Sequence, residues 1–404
     1  MKILIIQPWI RLGGAELISI HLAHELNRKG HEVAIAASFV DLKGTPDSAS
    51  GLTYLAPPRL LSTLCKRNRY LFLLLSPGIL LWLTLKHSKH VDVLNPHNFP
   101  AIWVAAIVGA IRKLPVVWTC NEPPESIALG EARTVGIGDY FGWLFASGKL
   151  DRWLARRSAA IYVPSNMTQI EVMQRYGRES QIVRLGVGKP ISNPVADSAM
   201  LSALEIEDSF VLLSVGKLHP QKNHLVCIEA VRLLQASIPN ITLLIAGEGP
   251  FKDELQRSAA NLGVEQKIQF LGHLDESALQ AVYRITDVNM FPAINQSWGL
   301  TPFEALNFGR ISIVSNKCGA SELLGEHDIG IVCEPKASEF ASRVLNVYRD
   351  PSKSQQMAIR GREYVQHVLT WASYAKNVER ILSQTLKSFT DPAQEELHTR
   401  VVPR

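Results

Sequence analysis

Short apolar runs alternate with amphipathic stretches along nearly the whole chain. Runs rich in Ile, Leu and Val, bounded by polar turns, recur near residues 3–7, 31–36, 91–95, 115–118, 160–163 and 181–184. Runs of this kind predict strands of a parallel sheet covered on both faces. Between them, over 15–29, 101–112 and 166–176, apolar residues return every three or four positions, which predicts helices. A second series follows, with strands expected near 210–215, 241–246, 268–271, 288–291, 311–314 and 329–333. Its helices are expected over 224–236, 251–262, 275–284, 302–308 and 336–348, and a last helix over 369–389. Two strand–helix series imply an α/β chain with two doubly wound parallel-sheet domains. A polar stretch with two prolines lies between the series. The expected boundaries are therefore 1–190, a linker over 191–209, 210–368, a closing helix over 369–390 and a loose tail over 391–404.

The strongest apolar run covers residues 70–85. It is shorter than the roughly 20 residues that span a bilayer, and Pro77-Gly78 interrupts it. One reading is a buried or half-buried helix pair. The other is a surface that meets a membrane interface, because Lys66, Arg67, Arg69, Lys86 and Lys89 flank the run. The opening segment, residues 1–8, is too short for a signal peptide and reads as a first buried strand. The expected location is cytoplasmic, peripheral on the inner face of the plasma membrane.

Length and composition narrow the class. A chain of 404 residues exceeds one compact core, and 47% apolar with 20% charged residues excludes disorder as the main state. The net charge of +5 is uneven: residues 1–190 hold 22 Lys and Arg against 13 Asp and Glu, and the remainder 20 against 24. A basic first half suits an anionic membrane surface or a phosphorylated acceptor. Nucleic acid is not expected, since no basic–aromatic array is present. The five cysteines are scattered without a Cys-x-x-Cys pair, which fits a reducing compartment and no zinc site. No Asp-x-Asp stands at a strand end, so no metal is expected.

Ligands of open parallel sheets bind beyond the carboxyl ends of the strands, so chemistry is sought in the loops after them. Leu12-Gly13-Gly14-Ala15-Glu16 joins the first strand to a helix, and its glycines let backbone N–H groups approach an anion. It lacks the three-glycine dinucleotide spacing. Gly216-Lys217 and Lys222 lie on the loop that opens the second series, where two lysines can hold a diphosphate or simply be solvated. The third loop is the most informative, Gln296-Ser297-Trp298-Gly299-Leu300-Thr301-Pro302-Phe303-Glu304. Gly299 permits close approach of a ligand, and the N–H groups of Leu300 and Thr301 can meet phosphate oxygens. Glu304 can accept hydrogen bonds from two vicinal ribose hydroxyls.

These three motifs, in this order, resemble the retaining glycosyltransferases of family 4, which have the GT-B fold. Ala246-Gly247-Glu248-Gly249-Pro250, Phe270-Leu271-Gly272-His273 and Gly319-Ala320-Ser321-Glu322 extend the resemblance across nearly the whole chain, as does Trp371 in the final helix. The resemblance implies two Rossmann-like domains facing across a cleft, with the closing helix crossing back to the first. It implies acceptor binding by the first domain and nucleotide-sugar binding by the second. Lys217 and Lys222 then resemble the basic pair on the diphosphate, Glu304 the ribose ligand, and Gly13 and Gly14 the loop that reaches the donor phosphates. His273 falls in the loop near the base. His97 and Glu122 fall on the acceptor side. No cofactor is implied beyond the nucleotide diphosphate sugar that serves as donor.

Two positions depart from the family pattern. Gln296 stands where the first glutamate of a paired-glutamate motif is expected, and Asn121 where relatives commonly carry histidine. Neither can supply a charge or titrate near neutral pH. A front-face retaining reaction relies mainly on stabilising the leaving diphosphate and on proximity, so both remain candidate catalytic groups. The expected function is transfer of a hexose from a UDP- or GDP-sugar to a glycan or lipid-linked acceptor, in cell-envelope polysaccharide synthesis. The alternative is a sugar-nucleotide-binding protein or non-catalytic subunit with a degenerate site. A nicotinamide-dependent oxidoreductase is disfavoured by the missing glycine fingerprint, and a nonhydrolysing epimerase explains the Gly299–Glu304 pattern less well.

Overall fold

The computed structural model describes residues 1–10, 14–42, 47–58, 69–123, 148–190, 200, 202–206 and 208–391. Gly13, Cys65, Lys66, Arg67, residues 191–199 of the expected linker and the tail beyond 391 lie outside the described residues. Two compact units are present, Met1–Leu185 with Trp371–Arg404, and Gly186–Thr370.

The first unit runs β1 (Lys2–Gln7), α1 (Gly14–Arg28), β2 (Glu32–Ala37), β3 (Thr53–Leu55), α2 (Arg69–His87), β4 (Val93–Pro96), α3 (Ala101–Arg112), β5 (Val117–Thr119), α4 (Lys149–Ala155), β6 (Ala160–Val163), α5 (Asn166–Tyr176) and β7 (Gln181–Ile182). Its strands are parallel, in the orders β3-β2-β1-β4 and β5-β6-β7. Isolated bridges at Leu94–Val116 and His97–Thr119 join the two ladders through β4 and β5. Strand β1 is buried from Ile3 to Ile6, as a central parallel strand covered on both faces must be. Leu80 of α2, Val104 and Val108 of α3 and Ala155 of α4 share one core with Leu4, Leu94 and Trp118.

The run over 70–85 is one continuous helix, α2, rather than a pair, with Pro77 inside it. Ser76, Leu80, Leu83 and Thr84 are buried, while Leu75, Pro77, Gly78 and Trp82 face solvent. A proline ring on the solvent side meets no neighbouring element, and the apolar inner stripe holds the helix together across it.

The second unit runs β8 (Phe210–Val215), α6 (His224–Leu234), β9 (Ile241–Ala246), α7 (Lys252–Asn261), β10 (Ile268–Gly272), α8 (Glu276–Ile285), β11 (Val288–Phe291), α9 (Thr301–Asn307), β12 (Ile311–Ser315), α10 (Ala320–Glu326), β13 (Ile331–Cys333), α11 (Ala337–Arg349) and α12 (Pro351–His367). Its six parallel strands follow the order β10-β9-β8-β11-β12-β13. Strand order therefore reverses between β8 and β11, which is where such sheets open a binding crevice. Ile206 is already buried here, against Val211 and Val282. Where the chain enters and leaves this unit it pairs with itself, Val187 N donating to Leu369 O at 2.8 Å.

The last helix, α13 (Trp371–Thr390), belongs to the first unit and packs on α1. The Trp371 ring stacks on His21 with centroids 4.4 Å apart. Glu379 takes an ion pair from Lys29 and a 2.8 Å hydrogen bond from His31. Among the described residues no helix is long and apolar enough to cross a membrane.

Candidate functional site

In the second unit, the loops after β8 and β11 flank the point where strand order reverses, and they carry the residues singled out from sequence. The loop after β8 is pressed into shape by the next one. Gly247 has φ +139°, and a Cβ there would lie 2.0 Å from Gly216 O; one on Gly249 would lie 2.2 Å from Leu218 O. Leu218 N donates to Glu248 O at 2.9 Å, and Gly216 N to Ala246 O at 3.0 Å. The Gly-Glu-Gly-Pro segment thus works as a backbone mould for the two-lysine loop. His224 sits beneath it, Nδ1 2.9 Å from Ser214 Oγ, and burial lowers its pKa to about 4. A neutral imidazole beside two lysines adds no third positive charge to the loop.

Lys217 is exposed on this loop. Lys222 reaches across to the loop after β11, donating to Gln296 Oε1, with its Nζ 5.8 Å from the centre of the Phe291 ring. The two loops are also tied by Ile294 N to Gln221 O at 3.0 Å and Asn223 Nδ2 to Pro292 O at 3.2 Å. Gln296 is fixed from behind by Gly319 N donating to its carbonyl at 2.9 Å and by a bridge to Cys318. Gly299 follows at φ +151°, and a Cβ there would meet Phe291 Cε1 at 2.7 Å, so only glycine fits. Leu300 and Thr301 open α9, and Thr301 Oγ1 is buried without a hydrogen-bond partner.

Glu304 lies one turn further along α9. Its Oε2 accepts a 2.7 Å hydrogen bond from the Tyr283 hydroxyl, on α8. Burial raises the Glu304 pKa, and the tyrosine works against that shift. Tyr283 is itself buried and stacked on Phe308, 5.7 Å between centroids, so its hydroxyl is held in place. A carboxylate with one oxygen anchored keeps the other for a ligand. His273 is exposed directly after Gly272, whose carbonyl accepts from Gly247 N at 2.8 Å.

The first unit gathers its own cluster beyond β4 and β5. His97 is wholly buried, with Nε2 2.9 Å from Asn95 Oδ1 and Nδ1 unpartnered. Burial lowers its pKa to about 3, so the ring is neutral. Asn95 Nδ2 donates to Val117 O at 2.6 Å and Thr119 Oγ1 at 3.0 Å, and Thr119 bonds the Tyr162 hydroxyl. His97 is therefore the buried end of a polar network rather than a ring on open surface. Asn121 Nδ2 is 3.4 Å from Asn98 Oδ1, and Glu122 follows, half-buried. Gly14 is exposed at the start of α1.

Five supporting residues escaped the sequence analysis. Tyr283 sits in a predicted amphipathic helix, where an aromatic reads as core. Ser214 reads as an interior strand residue and His224 as the first residue of a helix. Asn95 and Tyr162 have no spacing that marks them. No group of three or more His, Cys, Asp or Glu arranged for a metal occurs among the described residues, and the four described cysteines are free and buried.

Comparison with known proteins identifies the family and the fold. The family model for glycosyl transferases group 1 matches residues 199–364, and that for glycosyltransferase family 4 matches residues 12–187. A glycogen synthase of Mycobacterium tuberculosis is 27% identical over 299 residues, 71% of this chain and 67% of the relative. A GDP-mannose-dependent alpha-(1-6)-phosphatidylinositol monomannoside mannosyltransferase of Mycolicibacterium smegmatis is 25% identical over 312 residues, 73% of this chain and 79% of the relative. The solved structure of Anabaena HepE in complex with UDP superposes with a TM-score of 0.75 at 18% identity, covering 95% of this chain and 100% of that one. The two family models together span most of the sequence, one on each unit, and the fold agrees. The chain belongs to the family 4 glycosyltransferases, the glycosyl transferases group 1, and has the GT-B fold.

Proposed function

We propose that the protein transfers a hexose, with retention at the anomeric carbon, from a nucleotide diphosphate sugar to a glycan or lipid-linked acceptor. The carrying observation is the pair of tied loops at the strand reversal of the second unit. They bring Lys217, Lys222, Gln296, the Gly299 turn and the anchored Glu304 to the carboxyl edge of one sheet. In this reading Lys217 and Lys222, with the N–H groups of Leu300 and Thr301, neutralise the diphosphate as it leaves. Glu304 accepts from the ribose diol, Gly299 lets the loop that carries Leu300 and Thr301 turn against Phe291, and Gly216 leaves the Lys222 side chain its path. His273 lies beside the base.

Gln296 carries no charge, so it holds a sugar hydroxyl or Lys222 rather than stabilising a cation. Asn121, held by Asn98, can donate and accept a hydrogen bond where the family pattern has a titrating group. The acceptor hydroxyl attacks the anomeric carbon on the face the diphosphate leaves, and its proton passes to the departing phosphate oxygen. His97 and Glu122 shape the acceptor side. Charge neutralisation by lysines needs no metal, and activity is expected to survive chelator. The work is proposed to take place in the cytoplasm, on a membrane-borne substrate for an envelope polysaccharide.

The test is product formation from radiolabelled UDP- and GDP-sugars with wild type and Lys222→Ala. Removing the lysine is expected to abolish turnover, and unchanged turnover would sink the diphosphate role. A second reading, a nucleotide-sugar-binding subunit without turnover, is favoured by Gln296 and Asn121 standing together. It wins if the native protein is inert and Gln296→Glu with Asn121→His creates activity.

A further inference from the structure

We infer that the solvent side of the α2–α3–α4 layer is a docking face for an anionic lipid bilayer. The three helices pack in sequence, α2 on α3 and α3 on α4, and their inner sides share one core. Their outer sides hold large apolar residues in water. Trp82 on α2 is 48% exposed, Ile111 on α3 is 60% exposed and Trp153 on α4 is 53% exposed. Ile107 lies one turn before Ile111, and Leu150 one turn before Trp153, both exposed. Scattered exposed apolar residues are ordinary, but here they form a stripe on each of three neighbouring helices.

The charge pattern names the occupant. Lys86 Nζ stands 5.1 Å from the centre of the Trp82 ring, and the Arg157 guanidinium 3.6 Å from that of Trp153. Arg112, exposed beside Ile111, donates to Leu85 O at 3.1 Å and so ties α3 to α2. The only carboxylate on the three helices is Asp151, and it is turned inward. Asp151 is fully buried, bonded to Trp103 Nε1 at 2.8 Å, Tyr176 OH at 3.0 Å and Arg175 Nη2 at 3.2 Å. A protein partner surface of ordinary composition would meet both signs of charge. Amphipathic tryptophans with a cation at each ring, and no exposed carboxylate, suit the headgroup level of a bilayer. The helices are too short or too polar to cross it, so the contact is interfacial.

The inference rests on the proposed membrane-borne acceptor only for its purpose; the face itself stands on the geometry above. The test is co-sedimentation of the full chain with phosphatidylcholine vesicles, with and without phosphatidylglycerol. Binding is expected only with the anionic lipid, and is expected to fall at about 0.5 M salt, where screening shortens the field to a few ångströms. Each basic side chain near an anionic surface is worth about fivefold in partitioning. Lys86→Glu with Arg157→Glu is therefore expected to lower binding more than about tenfold. Trp82→Ser with Ile111→Ser is expected to lower it even at low salt, while Arg343→Glu, on the second unit, leaves it unchanged.

Thermal unfolding, which reads the first unit, and nucleotide affinity, which reads the second, are expected to be equal in all variants. That shows each is folded and separates failure of this inference from failure of the donor reading. Absence of wild-type binding to anionic vesicles at low salt overturns the inference. So does binding indifferent to both double variants. A dimer in solution that Ile111→Glu dissociates, with no vesicle binding, would assign the face to a second copy and also overturn it.

Discussion

Tyr283→Phe removes one hydroxyl and tests the whole account of Glu304. The Tyr283–Glu304 hydrogen bond, 2.7 Å, exists before any ligand arrives. Its loss therefore changes nucleotide affinity only through the freedom that Glu304 gains. Re-ordering such a side chain on binding costs about 0.5–1.5 kcal/mol, which is about two- to twelvefold in Kd. Folding stability feels the lost donor more directly, by about 1–3 kcal/mol. The pH dependence has a definite sign. Burial pushes the Glu304 carboxyl up and the tyrosine pulls it down, so the variant carries a still higher pKa. The acid limb of nucleotide binding then moves to higher pH. Calorimetric titration with UDP or GDP, whichever binds, and with its 2′,3′-dideoxy form at a series of pH values below neutrality reads both effects. The loss is expected with the ribonucleotide and absent with the dideoxy form, which has no diol to meet the carboxylate. Equal weakening of both nucleotides, or an acid limb that does not move, would refute the reasoning.

Other expectations follow from the same geometry. Gly299→Ala drives a Cβ into the Phe291 ring and is expected to destabilise the second unit by about 1–3 kcal/mol in denaturant titration, with nucleotide binding lost in the folded fraction. Asp151→Asn removes the carboxylate charge that faces the buried Arg175 guanidinium and is expected to cost about 3–5 kcal/mol, read as a lowered midpoint for the first unit. His97 and His224 are held neutral, near 3 and 4, below the ordinary histidine value. Their depressed values contribute stability that is present above about pH 6.5 and lost as pH falls through that window toward 3. His97→Gln is expected to flatten the acid side of the stability profile, and an unchanged profile would show that His97 does not titrate on unfolding.

Much of the fold was legible in the sequence, because parallel strands buried on both faces announce themselves as unbroken apolar runs. The strands at 160–163, 210–215, 241–246 and 288–291 and the helix at 166–176 lie where the pattern puts them. The three-residue strand β3 was not legible, since Thr53-Tyr54-Leu55 is half exposed at the sheet edge. Helix α12 was missed because only Met357, Ala358, Gly361 and Val365 of its 17 residues are buried. Pro77 misled in the other direction, since local sequence marks a break and says nothing of which side of a helix the ring occupies.

The candidate site shows the same division. Glycines and charged residues on loops after strands were visible as punctuation, and the structure gathers those of the second series on one sheet edge. What holds them was not visible. Tyr283, His224 and Cys318 support the loops from helix and strand positions far away in sequence, and no spacing connects Tyr283 to Glu304 before the chain folds.

Helix α13 gives the chain an order of assembly. The first unit is built from both ends of the sequence, and the second is inserted between them with its entry and exit paired at Val187 and Leu369. On the ribosome, the stretch from Gly186 to Thr370 is fully synthesised while the His21 ring still waits for Trp371. The inserted unit is therefore free to fold first, and the unit begun first is completed last. A chain released after residue 370 would carry the complete inserted unit joined to an N-terminal unit whose α1 has not yet met α13.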